Sequence, residues 1–345
     1  AGLRTTLYLF QSNGGVLSAA QAAASPVRLL LSGPAGGALA VSTIGHQSDT
    51  PNLVGIDMGG TSFDVCVVER GRTREVTQGA IAGCPVRVPM TEIRTISAGG
   101  GSIASGDGAG RLRVGPESAG ARPGPAAYGY GGQAATVTDA NVVLGRLDAR
   151  NFLDGAMQLD IKAAADILSD SVGKALGVTP QAAGEGVLRV AVAEMANAIR
   201  LSLFEKGLDP RDFALISFGG AGGLHAAEVA DELGATAVLY PSDAATLSAW
   251  GMLYADVTQD YAATRLLAAS DDNVAALDAL VKPMLKTAAA TLQREGFADE
   301  DCSFELLADM RYRGQAYEIS VPWGSLPAKV PVKLIETDRV TRAAA

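Results

Sequence analysis

From Leu53 to Val68 the chain reads Leu-Val-Gly-Ile-Asp-Met-Gly-Gly-Thr-Ser-Phe-Asp-Val-Cys-Val-Val, so Asp57 and Asp64 flank a turn built of Gly59, Gly60, Thr61 and Ser62. The apolar runs on either side predict a strand that ends at the first carboxylate and a returning strand that starts near the second, joined as a hairpin. Glycines let backbone N–H groups come close to an anion, and the two hydroxyls add donors. Two carboxylates beside that anion would repel it unless a divalent cation lay between them, so the pattern points to phosphate with Mg2+. The competing reading is an ordinary hairpin in which Gly-Gly only turns the chain and both aspartates are solvated.

A second candidate is Phe218-Gly-Gly-Ala-Gly-Gly-Leu-His225, with Gly219, Gly220, Ala221 and Gly222 between an apolar run and a helical one. Free amides at such a strand-to-helix corner suit anions and flat polar groups. No Lys-Ser/Thr follows, so it is not a Walker loop, and its spacing misses GxGxxG. Tight strand-to-helix packing is the alternative. Taken together, two glycine turns of different type at strand ends point to a nucleotide held by separate parts of one fold. That reading requires the two turns to face one another across a shared crevice.

Smaller signals surround these two. Gly99, Gly100 and Gly101 are costly in entropy unless the backbone must pass close to something, which places them at the cleft; a mobile hairpin tip is the other reading. Asp139, in Thr136-Val-Thr-Asp-Ala-Asn141, is either a further metal-side acid with Asp57 and Asp64, or a substrate-side one, or the cap of a helix starting there. Arg94, Arg111, Arg113 and Arg122 are able to clamp a substrate carboxylate, although for any one of them a surface salt bridge is the plainer expectation. His225 reads as structural, and Cys66 and Cys84 as buried small hydrophobes.

The elements that must position these residues follow from periodicity and breakers. Of 41 glycines, 18 fall between Gly55 and Gly132, among short β-prone runs, which predicts strands joined by tight turns. Val187, Leu188, Ala191, Met195, Ala198, Ile199 and Leu203 recur at steps of three and four and predict one long helix, stopped by Gly207 and Pro210. A strand over 213–218, the glycine corner, a helix over 224–233 and a strand over 236–240 make a βαβ unit, hence a parallel pair in a covered sheet. The tail from about Asp260 predicts a helix over 275–296 and strands over 303–310 and 316–321, and its last twenty residues look incomplete. The whole reads as α/β with a mixed sheet and flanking helices, plus a partial α+β carboxyl-terminal region.

Composition narrows the classes. The 345 residues are 48% hydrophobic, ample for a sizeable core, and carry a net charge of −9, which disfavours nucleic acid as a partner. Three cysteines without CxxC spacing and two histidines argue against a disulfide framework and a Cys- or His-rich metal site. No apolar run reaches the roughly 18 residues that a membrane helix needs, and the first residues lack a signal-peptide pattern, so the expectation is a cytoplasmic chain with no membrane role. The opening without Met, part-way into a β-rich stretch over 5–10, reads as the start of a fragment or processed chain.

The pairing of an Asp-Gly-Gly-Thr hairpin, Ile56 to Val65, with a later glycine turn, Phe218 to Gly223, resembles the actin-like ATPase superfamily, with its ribonuclease H-like fold. A narrower resemblance covers nearly the whole chain. Gln11-Ser-Asn-Gly-Gly15, Leu31-Ser-Gly-Pro-Ala-Gly-Gly37, Asp57-Met-Gly-Gly-Thr61, Ser97-Ala-Gly-Gly-Gly-Ser-Ile-Ala104, Val114 to Pro125, Ala135 to Leu147 and Asp209-Pro-Arg-Asp-Phe213 look like the hydantoinase A/5-oxoprolinase family. The resemblance implies an ATP- and Mg2+-dependent hydrolase subunit that activates the carbonyl of a small cyclic amide by phosphorylation. Asp57 and Asp64 would hold the metal, and Asp57 would alternatively orient an attacking oxygen. Gly59, Gly60, Thr61 and Ser62 would bind phosphate, and Gly219 to Gly222 would pack on adenosine. It implies a hydantoinase B-like partner subunit or domain, and an oligomer. The alternatives are an ATP-dependent ketone carboxylase subunit and a non-catalytic nucleotide-binding or scaffold module.

Three departures from the family pattern stand out. Members carry an additional amino-terminal region with its own Asp-x-Gly-Gly-Thr loop, and this sequence contains one such loop, so it reads as the second nucleotide lobe, inactive alone. Gly223 replaces the proline of the later turn, and Ala244-Ala245-Thr246 replaces Pro-Gly-Val. The expected division is a leading segment over 1–50, the lobe over 51–245 and a partial carboxyl-terminal region over 246–345.

Overall fold

The computed structural model describes residues 6–77, 79–81, 83–107, 109–268, 273–315, 318–322 and 342–344. The chain divides into two compact units, one of residues 1–11, 15–30 and 255–345, the other of residues 12–14 and 31–254. Every candidate site residue named above lies in the second unit.

That second unit is built on a mixed sheet. Helix α1 (Ser32–Gln47) precedes strands β1 (Leu53–Met58), β2 (Phe63–Glu69) and β3 (Ile93–Ile96). After them come the paired strands β4 (Ser102–Gly106) and β5 (Leu112–Ser118), then α2 (Val137–Val143) and the long α3 (Pro180–Phe204). Strand β6 (Ala214–Phe218), α4 (Ala226–Leu233), β7 (Val238–Leu239) and α5 (Leu247–Gly251) complete it. The strand order is β3-β2-β1-β6-β7, with Arg72–Thr73 also pairing β2. β1 and β2 form the expected hairpin, and β6 runs parallel to both β1 and β7, as the βαβ pattern required.

Alternation along the strands assigns the two faces. Val54, Ile56, Met58, Phe63 and Val65 enter one core with the buried stripe of α3, including Val187, Met195, Ile199 and Leu203. Leu53, Cys66, Val68, Ile216 and Phe218 enter a second with Ala38, Ala40 and Val41 of α1 and Leu247 of α5. With helices on both faces, β1 and β6 are buried almost throughout, which explains their continuous apolar runs. α3 ends as expected, with Gly207 at φ +69° beyond its last turn; its start, which the periodicity does not mark, is capped by Thr179 with Pro180 in the first turn.

The sequence pattern assigns no element to residues 32–47, whose opening Ser-Gly-Pro-Ala-Gly-Gly begins α1. A methyl at Gly36 would lie 2.6 Å from the Ser248 carbonyl, and one at Gly37 2.8 Å from the Phe218 ring. These glycines let α1 sit directly against α5 and the sheet, a tertiary need that outweighs their poor helix propensity.

The first unit carries its own α+β elements. Tyr8–Phe10 pairs with Val16–Ser18, Thr258–Asp260 and Ser303–Glu305 both pair with Arg342–Ala344, and Leu307–Met310 pairs with Ile319–Pro322. A helix over Val274–Glu295 buries Ala288 and Leu292 with Val257. Arg28 bridges Asp260 at 2.8 Å, and Gln11 Nε2 donates to the Thr258 carbonyl at 2.8 Å. The strand expected over 303–310 is broken into two, and residues 316–317 of the next lie outside the described residues, as do Thr5 and most of the last twenty. Cys66 is buried, but Cys84, expected to be buried too, is exposed on the ribbon of Gly79–Ile81 and Cys84–Val86, two residues from the buried Val86.

Candidate functional site

Register places four residues in one transverse row of the sheet: Thr95 of β3, Asp64 of β2, Asp57 of β1 and Phe218 of β6. Partners in register project to the same face, so the two carboxylates stand side by side at the end of β1. Thr95 Oγ1 donates to Asp64 Oδ1 at 2.5 Å, and Ser248 Oγ donates to Asp57 Oδ2 at 3.3 Å. Partial burial lifts both carboxyls above their ordinary range; the Asp64 charge lifts Asp57 further, and the two hydroxyl donors oppose the shifts. Two half-buried like charges on adjacent strands are a standing cost that a bound cation removes.

Beyond this row the chain turns through residues 59–62, with Gly59 N donating to the Ser62 carbonyl at 3.2 Å. A methyl added at Gly59, Gly60 or Gly220 would meet nothing within 4 Å, so these backbones present an open face. Among the described residues the Thr61 and Ser62 hydroxyls make no hydrogen bond.

The triple glycine holds this turn from behind. Gly100 N and Gly101 N donate to the carbonyls of Gly59 and Gly60 at 3.1 and 2.7 Å, and a methyl at Gly99 would lie 2.5 Å from Thr61 N. Gly99 to Gly101 are buried, so they support the turn rather than line an open cleft, and the mobile-tip alternative does not describe them.

The glycine corner stands beside the hairpin. Gly219 takes φ +79°, and a methyl there would lie 2.3 Å from Asp57 Oδ1. Ala221 N donates to the Met58 carbonyl at 2.9 Å. The expected arrangement, two turns facing one another across a crevice, is thus corrected: β1 and β6 are parallel neighbours, so their following loops leave at the same sheet end and bond directly. Gly222 is buried, and a methyl there would lie 2.9 Å from Ser217 Oγ.

Asp139 is fully buried and forms a capping box with Thr136 at the start of α2. Its oxygens accept from Ala126 N at 3.3 Å, Ala127 N at 2.8 Å, Thr136 N at 3.0 Å and Thr136 Oγ1 at 2.7 Å. Of its candidate roles the geometry shows the cap, and we assign Asp139 to the fold rather than to a cation or substrate. Among the described residues no group of three or more His, Cys, Asp or Glu side chains is arranged to hold a metal. A site here has two carboxylates, a set that suits Mg2+ when phosphate and water supply the remaining ligands.

His225 is buried, and burial holds its pKa down at about 4, so it is neutral. Its Nε2 lies 3.4 Å from Asn141 Nδ2. The candidate arginines scatter. Arg94 pairs with Glu205 and Ser202, Arg111 with Asp107, and Arg122 stacks 4.9 Å from the Tyr130 ring centre. Arg113 lines a cavity with Arg94. Sequence reasoning missed Thr95 and Ser248: Thr95 is signalled only by strand register, and Ser248 is 191 residues from Asp57 with no local pattern to mark it.

No helix among the described residues is long and apolar enough to cross a membrane. The chain is 37% identical over 317 residues to the caprolactamase subunit alpha of Pseudomonas jessenii, covering 90% of this chain and 45% of that protein. It is 32% identical over 323 residues to the acetophenone carboxylase gamma subunit of Aromatoleum aromaticum, covering 91% and 44%. The crystal structure of the ATP-dependent caprolactamase from Pseudomonas jessenii superposes with a TM-score of 0.82 at 32% identity, over 97% of this chain and 52% of that one. The chain therefore spans about half the length of the proteins it resembles, and its mixed sheet with flanking helices is the actin-like α/β fold that its motifs imply. Residues 1–261 match the family described as hydantoinase/oxoprolinase, and with these motifs, this fold and these relatives the chain belongs to that family.

Proposed function

We propose that the sheet unit is a nucleotide lobe of an ATP-dependent amide hydrolase, and that the row of Thr95, Asp64, Asp57 and Phe218 is its Mg2+-phosphate end. The observation that carries this reading is the convergence of paired, repelling carboxylates with a backbone turn whose outer face is open. Asp57 and Asp64 would hold the cation, oriented by Ser248 and Thr95. Amides of Gly59 and Gly60 and hydroxyls of Thr61 and Ser62 would donate to phosphate oxygens, with the glycines 99–101 fixing the turn. Gly219 to Gly222 would take the adenosine side.

A ring amide is resonance-stabilised, so opening it uphill requires coupling to a phosphoanhydride. Transfer of the terminal phosphoryl group to the amide oxygen makes the carbonyl carbon electrophilic. Water then adds at that carbon, the C–N bond breaks with the proton passing to nitrogen to leave an acyl phosphate, and a second water hydrolyses that acyl phosphate to carboxylate and free phosphate. Positioning and charge neutralisation are what the residues of this site offer such a step. The name of the caprolactamase relative supports the amide reading. A hydantoinase B-like partner, an oligomer and a cytoplasmic setting complete the proposal. The complete protein with its partner, assayed for lactam-dependent ATP hydrolysis, tests it: Asp57→Ala should abolish turnover, and unchanged turnover would end the reading.

The carboxylase relative supports a second reading, in which the same site phosphorylates a ketone's enolate oxygen before carboxylation. Bicarbonate-dependent turnover of ketones, absent with lactams, would select it.

A further inference from the structure

On the far side of edge strand β3 from Thr95 lies an open cavity of about 530 Å3, within the size range of small-ligand sites. Arg94 and Ile96 alternate with Thr95 and so face away from the carboxylate row. β5 contributes Leu112 and Arg113, and α3 contributes Glu194 and Leu201. The polar groups are of both signs. Arg94 is held by Ser202 Oγ at 3.1 Å from Nε and by Glu205 on Nη2, and among the described residues its Nη1 makes no hydrogen bond. Neither Arg113 nor Glu194 makes a hydrogen bond or ion pair among the described residues, and desolvation by the cavity wall pushes the Glu194 carboxyl up. Ile96, Leu112 and Leu201 give the wall an aliphatic stretch, while Ser97 and Asn197 add neutral polar groups.

We infer that this cavity binds a short-chain zwitterionic amino acid, its carboxylate on Arg113 and Arg94, its ammonium on Glu194 and its methylenes along the aliphatic wall. The identity of the ligand rests on the proposed amide hydrolysis. Opening a lactam leaves a carboxylate on the former carbonyl carbon and an ammonium on the former ring nitrogen, on one chain. The closed ring carries neither charge, so the cavity distinguishes product from substrate. Arg94 adjoins Thr95, the donor to Asp64, in sequence but faces the opposite side of the sheet, so product recognition shares no residue with the phosphate-side carboxylates.

Calorimetry on the full chain tests this with 6-aminohexanoate, hexanoate, hexylamine and caprolactam as probes. The zwitterion should bind at least about tenfold more tightly than either singly charged probe, since each loses one charge-assisted contact, and caprolactam should give no heat. Glu194→Gln should bring 6-aminohexanoate to the level of hexanoate. Arg113→Ala should remove both, with Arg113→Lys partly restoring them. Hexanoate binding as well as the zwitterion, or a preference untouched in Glu194→Gln, would overturn the assignment. Titrating Mg-ATP into the same samples separates the two readings. A chain that takes ATP but no amino acid overturns this cavity alone, and one that takes the amino acid in this pattern but no ATP upholds the cavity and removes the nucleotide site.

Discussion

Two glycines at the same sheet end should respond oppositely to a single methyl. At Gly219 the backbone has φ +79° and the methyl would lie 2.3 Å from Asp57 Oδ1, 2.6 Å from the Met58 carbonyl oxygen and 2.8 Å from Met58 N. Backbone atoms of a buried strand cannot yield, so strain of about 1 kcal/mol from the left-handed conformation adds to an overpacking cost of about 1–3 kcal/mol. Gly219→Ala should therefore lose about 2–4 kcal/mol and melt roughly 5–15 °C lower. Gly59 has no positive φ, and its methyl would meet nothing within 4 Å. Gly59→Ala should keep the wild-type melting midpoint or gain slightly, because the unfolded chain loses freedom. Its methyl would nevertheless stand where a phosphate must approach the amide, and losing one charge-assisted hydrogen bond costs about tenfold to a hundredfold in Mg-ATP affinity. Thermal unfolding and calorimetry on the two variants read both quantities. A Gly59→Ala protein that melts as early as Gly219→Ala, or that binds Mg-ATP normally, would refute the open-face reasoning.

Further outcomes follow from the same geometry. Asp57→Asn removes a carboxyl whose folded pKa lies above its unfolded value, so the native state binds the extra proton more tightly and loses stability as pH rises from about 4 through that raised value. Urea unfolding should accordingly show Asp57→Asn more stable than wild type at pH 7, with the difference vanishing below pH 4. Asp139→Ala leaves four buried donors without an acceptor and should cost about 2 kcal/mol or more, visible as a lower urea midpoint. Gly251→Ala places a methyl 2.1 Å from the Gly36 carbonyl oxygen and should destabilise by about 1–3 kcal/mol in the same assay.

Much of the site was legible because it is local. Asp57, the four turn residues and Asp64 form one hairpin, and the corner at 219–222 follows a strand whose apolar run marks it. What periodicity does not encode is strand order. Only the parallel pairing of β1 with β6 turns two separated motifs into bonded neighbours, and this is why the expected crevice between them gave way to a shared sheet end. The same limit hid Thr95 and Ser248, which reach the carboxylates through tertiary packing. Gly36 and Gly37 carry a role of the same kind that local pattern does not reveal: they mark where α1 touches α5 and the sheet. Asp139 carried more than one reading because a capping carboxylate and a metal- or substrate-side carboxylate look alike until their donors are counted.

Amide NMR of the chain with substoichiometric Mn2+ and ATP observes directly where the cation and phosphates sit. Paramagnetic broadening should centre on Gly59, Gly60, Thr61 and Ser62 and fade outward through Thr95 and Gly219, and should disappear in Asp57→Ala. Broadening centred elsewhere, with the 59–62 amides left sharp, would contradict the assignment of this row as the nucleotide's metal-binding end.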